Sequence, residues 1–362
     1  MKKILNPKIA LSLPMERYIA YLFDIVIVIS ITSVILSIFH FKPYIYLIFV
    51  YYRTNHHKIL SLIQSYKGYV SLILFIVLLF IYFLIENFTG NSIGKFILKI
   101  KIATISTISN ESYGKKLLRS IIKTFIPLAI IDSLFIFKSK LRQRFSDKIL
   151  GYVVYDTGSV KRFPRYLLIS SLFFIIPIAA QIVSILIYSE GLHGITPAPH
   201  SGMILKASMS RMHFIFLTNS STDFINYFLG GFSIFILDIT EIIFESYISG
   251  RLIGSALISY PGFFYYGVAP QFFIEFLGYI IGMVGAIYII NVIFLLIEGY
   301  FKSLSVDFIT KTLFKGFTLA IVMLIISLSI LYKSAYIETY FTSFLLNKYY
   351  NASVNFVEVI NC

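Results

Sequence analysis

Long uncharged apolar runs alternate along this chain with short stretches rich in lysine and arginine. Tyr18–Phe39 is apolar over 22 residues apart from Asp24, and Gly68–Ile85 is free of charge over 18. Leu167–Ile187 follows with 21, Phe276–Ile297 with 22 and Gly316–Tyr332 with 17. About 20 apolar residues in a helix cross the hydrocarbon core of a bilayer. The β-branched run of the first segment would favour a strand in water, but a spanning segment must satisfy its own backbone, and a helix does so. No cleavage signal follows the first run, which therefore reads as a retained helix.

Three further stretches are less regular. Ser120–Phe137 is apolar but holds Lys123, Pro127 and Asp132, and reads as a re-entrant or interfacial hairpin around Pro127. Leu252–Ile274 is uncharged but interrupted by Gly254, Pro261, Gly262, Gly267 and Pro270, which predicts a short helix, a tight turn near Pro261–Gly262 and a re-entry. Phe224–Leu237 is too short to cross unless it runs on through Asp238 and Glu241. The pattern predicts an all-α, polytopic integral membrane protein with about six to eight membrane helices or re-entrant segments.

Composition agrees with this reading. Of 362 residues, 58% are hydrophobic and 13% charged, and the mean hydropathy is +0.84. The net charge of +14 lies in short loops beside the apolar runs. That distribution fits the cytoplasmic excess of basic residues and attraction to anionic headgroups rather than nucleic acid. It puts the N-terminus in the cytoplasm of a cell-membrane protein, with 86–118 and 138–165 on the same side. With Trp absent, interfacial anchoring falls to Tyr, Lys and Arg. The single cysteine, Cys362, forms neither an intrachain disulfide nor a thiolate metal cluster.

Three ordered elements then carry a resemblance: PMERYIAYLFD with Arg17, Ala20 and Asp24, FTGNSIGKFILKIKI with Gly90, Gly94 and Lys95, and LRQRFSDKILGYVV with Arg144, Phe145, Asp147, Gly151 and Val153–Val154. Over residues 11–157 the chain resembles the RDD family of membrane proteins. The usual aromatic–His–Asp is Phe145–Ser146–Asp147 here, and Tyr152 replaces the Thr after the glycine. The second half, 204–335, resembles the stage II sporulation protein M family through FLTNSSTDFINYFLGGFSIF and the Gly250–Gly254 step. Ala269–Pro270–Gln271 stands where Pro-His-Gly is usual, followed by Glu275. That resemblance implies membership of a family that partners membrane complexes, not a chemistry. Residues 158–203 then form a linking helix and extramembrane loop, and 336–362 a tail.

Arg17 and Asp24, two helical turns apart, share a face. An Asp at that depth costs about 2.5 kcal/mol or more, so it must pair, with Arg17, Lys95 or Arg144 as candidate partners. Asp147, beside Arg144, reads as headgroup-facing. Gly90-x-x-x-Gly94-Lys95 lacks the Ser or Thr of a nucleotide loop and reads as a turn into an interfacial basic helix, IGKFILKIKI. Asp238, Glu241 and Glu245 form an acidic stripe that either pairs with Arg251 or Arg211 or serves a proton or cation path, with Glu275 nearby. Gly278, Gly282 and Ala286 offer a close-packing face for another helix, in this chain or in a second one, and Asn291 beyond them reads as a packing amide. His56 and His57 fall in a basic loop, His193 and His200 in a Gly/Pro loop. No catalytic constellation, metal site or cofactor motif emerges. The sequence thus favours a scaffold or component of a membrane complex, as a homo-oligomer or with other membrane proteins, over proton- or cation-coupled transport.

Overall fold

The computed structural model describes residues 10–39, 65–104, 113–158, 161–187, 207–233, 236–259 and 264–345. The two histidine pairs lie outside them. Helix α1 spans Pro14–Ile38, with proline in its first turn, where the missing N–H costs nothing. Helix α2, Tyr66–Thr89, is capped by the Ser65 hydroxyl and ends at Gly90, whose φ of +74° admits the left-handed turn. Short α3, Ile93–Ile97, leads into strand β2, Ile100–Thr104. Basic amphipathic α4, Tyr113–Thr124, meets α5, Ile126–Lys138, at a bend of 106°. The bend falls at Phe125, just before Pro127, where the sequence suggests a hairpin. Helix α6, Phe145–Leu150, closes on Gly151, and β3 follows at Tyr152–Asp156.

Strand β1, Ala10–Leu11, pairs antiparallel with β3, and β3 with β2, in the order β1-β3-β2. This small sheet corrects the reading of IGKFILKIKI as one interfacial helix. Its second half alternates isoleucine and lysine, a period-2 pattern, and Ile100 is fully buried.

The second half opens with α7, Arg162–Ile187, which runs unbroken through Pro177. Helix α8, Met209–Thr222, widens into a π turn at Asp223–Phe228 and a 3-10 turn at Leu229–Ser233. Helix α9 spans Ile236–Ser259. The run from Phe224 through Asp238 includes residues outside the described ones, and its described part leaves the α-helical form at the π and 3-10 turns. Gly231 lets that turn lie close on Ile289: a Cβ there would come 2.9 Å from Ile289 Cβ. The turn expected near Pro261–Gly262 lies outside the described residues; a π turn at Phe264–Val268 enters α10, Ala269–Lys302. Ser303, at φ +51°, separates α10 from α11, Val306–Tyr336, which continues into another π turn at Ile337–Thr342.

Among the described residues, five helical segments are long and apolar enough to cross a membrane, and a sixth if the bent α4–α5 pair counts as one. These are the five runs of the sequence reading, each somewhat longer. Helix α1 is enclosed by its neighbours, whereas α2 and α11 turn Ile73, Ile81, Ile85, Phe314 and Ile325 outward, as lipid-facing helices do. One apolar core joins both halves, with Phe23 edge-on to Phe173 at 5.0 Å and Phe137 edge-on to Phe294 at 5.3 Å. The glycine faces close within the chain. Gly250 and Gly254 lay α9 on Gln181 and Ile185 of α7. Gly278 meets Leu331 of α11, Gly282 meets Asp223, and Ala286 is buried beside Gly231.

Candidate functional site

Two polar clusters lie inside this apolar frame. The first is built on α1. From its first turns, Arg17 donates to Asp147 Oδ2 and to the backbone carbonyl of Arg142. Arg119 approaches the other carboxylate oxygen from α4, at 3.0 Å from Nε and 2.8 Å from Nη2. Asp147 is therefore no headgroup-facing residue: it is fully buried between two guanidiniums. Burial alone would push its carboxyl upward, but Arg119, Arg17 and Arg144 outweigh that and hold it well below the usual carboxylate range.

Asp24 does not take the cationic partner expected of it. Its Oδ1 accepts from the Tyr82 hydroxyl at 2.7 Å and from the Gly94 N–H at 2.9 Å. Gly94 can bring its backbone there because it has no side chain: a Cβ would stand 2.4 Å from the Ala20 carbonyl oxygen. The two glycines of the Gly-x-x-x-Gly-Lys element thus have separate tasks. Gly90 turns the chain out of α2, and Gly94 seats α3 on α1. Lys95, next along, is buried and donates to Glu86 Oε1, and Lys123 reaches both oxygens of Glu86 at 2.6 Å. Arg144 lies over the Tyr21 ring, 5.6 Å from its centroid.

Glu86 and Arg119 were not legible as site residues. A signal existed for the second: Arg119 and Lys123 are one turn apart on α4 and share its buried edge.

Arg142 ties this cluster to the second half. It sits at φ +50°, a conformation that costs a non-glycine residue roughly 1 kcal/mol. Its carbonyl meets Arg17, while its guanidinium holds both oxygens of Glu298 on α10 at 2.7 and 3.0 Å.

Residues 11–151 match the RDD family. This stretch is an RDD family domain. Comparison with curated proteins and with solved structures returned no match. With its apolar helices, the RDD domain makes the chain a multi-pass membrane protein. The Arg and the two Asp singled out in the sequence are Arg17, Asp24 and Asp147. The RDD domain gathers all three around α1, but on two separate partner sets.

The second cluster is acidic and lies against the middle of α10. Asp238, in the first turn of α9, is fully buried, and neither carboxylate oxygen has a hydrogen-bond partner among the described residues. It rests on Gly230, where a Cβ would come within 2.6 Å of Oδ2. It does not pair with Arg251, which donates to the Tyr247 hydroxyl at 3.0 Å, or with Arg211, which donates to Ser343 at 3.3 Å. Asp223, not singled out in the sequence, accepts from Ser327 at 2.7 Å through Oδ2, while Oδ1 packs unpartnered on Gly282. The buried Tyr227 hydroxyl is likewise unpartnered. Glu241 is buried and Glu245 half-buried on the same helix, and Glu275 accepts from the Tyr279 hydroxyl at 2.9 Å. Asn291 makes no packing bond through its side-chain oxygen, which is buried without a partner beside a cavity.

Proposed function

We propose that this protein moves protons or small cations across the membrane, and that Asp238 and Asp223 lie on the path. One observation carries this reading: among the described residues, Asp238 is a fully buried carboxyl with no hydrogen-bonding partner and no cation on either oxygen. Such a group exists only while it holds a proton or a positive ion. The surroundings support it. The chain passes from a π turn at Asp223–Phe228 into a 3-10 turn at Leu229–Ser233, against the middle of a spanning helix, and irregular helical segments at that depth are where transporters place their ion sites. Tyr227 supplies a buried hydroxyl that is unpartnered among the described residues.

The scaffold reading drew on the charged cytoplasmic surface and on the close-packing face of Gly278, Gly282 and Ala286. Of these, the glycine face is occupied by α11 and Asp223 of the same chain. We take residues 204–335, with their likeness to the stage II sporulation protein M family, as the ion-handling unit, and the RDD domain as its support. The basic segments 86–118 and 138–165 lie in the cytoplasm, together with the N-terminus.

The test is flux in vesicles reconstituted with the purified chain. Under an imposed proton or sodium gradient, Asp238→Asn is expected to abolish flux while the protein stays monodisperse, and Glu241→Gln to reduce it. Flux in the Asp238→Asn protein equal to wild type removes the proposal.

A further inference from the structure

Five cations are buried in the RDD domain, Arg17, Lys95, Arg119, Lys123 and Arg144, with five carboxylates, Glu16, Asp24, Glu86, Asp132 and Asp147. Four of the cations are in ion pairs: Arg17 and Arg119 hold Asp147, Lys95 and Lys123 hold Glu86. Asp132 accepts from the backbone N–H and hydroxyl of Ser146, and Glu16 pairs with Arg162. Arg144 has no carboxylate in ion-pair contact among the described residues. It is 5% exposed, it lies over the Tyr21 ring, and its Nε has no hydrogen-bond partner among the described residues.

Arg144 also lies at the floor of a groove of about 200 Å³ between α1, α5 and α10. The walls are apolar, formed by Ile130, Leu134, Phe137 and Phe294, and no carboxylate lines the groove. Ile130 and Leu134 are more than half exposed, so the groove opens sideways, toward the bilayer, along the bent α4–α5 hairpin. An apolar slot that ends on a buried guanidinium with no carboxylate in contact has the complementarity of an amphiphile with an acidic head. A basic pocket between membrane helices is also where anionic headgroups bind.

We propose that this groove is a specific site for an anionic phospholipid of the surrounding membrane. One acyl chain lies along Ile130, Leu134 and Phe294, and the phosphate oxygens accept hydrogen bonds from the Arg144 guanidinium. The bound phosphate gives Arg144 the contacting anion it lacks among the described residues. The site joins the RDD domain to α10, because Arg144 of the one and Phe294 of the other both line it. This inference is independent of the proposed ion path, which lies on α8, α9 and α10.

The experiment is native mass spectrometry of the full chain purified in uncharged detergent and offered equal amounts of phosphatidylglycerol and phosphatidylcholine. Wild type is expected to retain phosphatidylglycerol over phosphatidylcholine by roughly fivefold, the preference expected from one basic residue. Arg144→Gln should erase that preference and Arg144→Lys restore most of it. Leu134→Trp fills the groove without touching a charge and should lower retention of the bound lipid. Equal retention of the two lipids by wild type, or an undiminished preference in Arg144→Gln, overturns the proposal. If Arg144→Gln does not fold, Leu134→Trp decides, and unchanged phosphatidylglycerol retention there overturns it as well. Complete displacement of the lipid by millimolar inorganic phosphate would mean a plain anion site and would also sink it.

Discussion

Asp147 is the residue on which the RDD domain depends most directly, since two guanidiniums from different helices converge on it. Asp147→Asn leaves Arg17 and Arg119 buried without their counter-charge, which costs about 3–5 kcal/mol. Denaturant unfolding in detergent should show that loss at neutral pH. Acid should narrow the gap. The native carboxyl titrates well below the unfolded one, because the surrounding arginines favour its charged form. Its contribution is therefore complete above about pH 4, the ordinary carboxylate value, and drains away as pH falls toward the depressed native value. Wild type and Asp147→Asn should differ by the same amount from pH 7 to pH 5 and converge only in stronger acid. A gap that closes between pH 7 and pH 5 would mean that Asp147 is not held in this way. That Arg17 and Asp24 face one way was readable from their spacing of seven. Which of them meets which partner was not, since Asp147 and Tyr82 reach α1 from 130 and 58 residues away.

At the scale of the element, α3 is the instructive piece. It has five residues, too few to be stable alone, and is held by its contacts with α1. Gly94→Ala would drive a methyl into the Ala20 backbone, which neither side can yield, and should cost about 1–3 kcal/mol. It should also free the Gly94 N–H from Asp24. Gly90→Ala meets open space and pays only for its positive φ, roughly 1–2 kcal/mol. Thermal unfolding of the two variants side by side checks this, and a Gly94→Ala protein as stable as Gly90→Ala would contradict it. The pattern around these glycines showed that the chain turns here. It did not show that IKIAT becomes a strand, because a strand of five residues exists only once β3, some fifty residues on, lies beside it.

At the scale of the molecule, the two halves share a core and three ion pairs among the described residues: Arg162 on Glu16, Arg165 on Asp156, and Arg142 on Glu298, with Lys302 on the same carboxylate at 2.6 Å. A double-mutant cycle on Arg142→Ala and Glu298→Ala should give a coupling of about 0.5–3 kcal/mol, and additive effects would mean that this pair does not couple the halves. The membrane class and the five long helices follow from local composition alone. Some twenty apolar residues in a row must be helical in lipid wherever they sit in the fold, so no contact between distant segments is needed to read them. Partnership among the charged groups is another matter. Removing a charge from water obliges it to find a counter-charge, but only the packing of α1 against α3, α4 and α6 chooses which one. The same packing closes the glycine face of α10 inside the chain and leaves Asp238 and Arg144 among the buried groups with unpartnered atoms in the described residues.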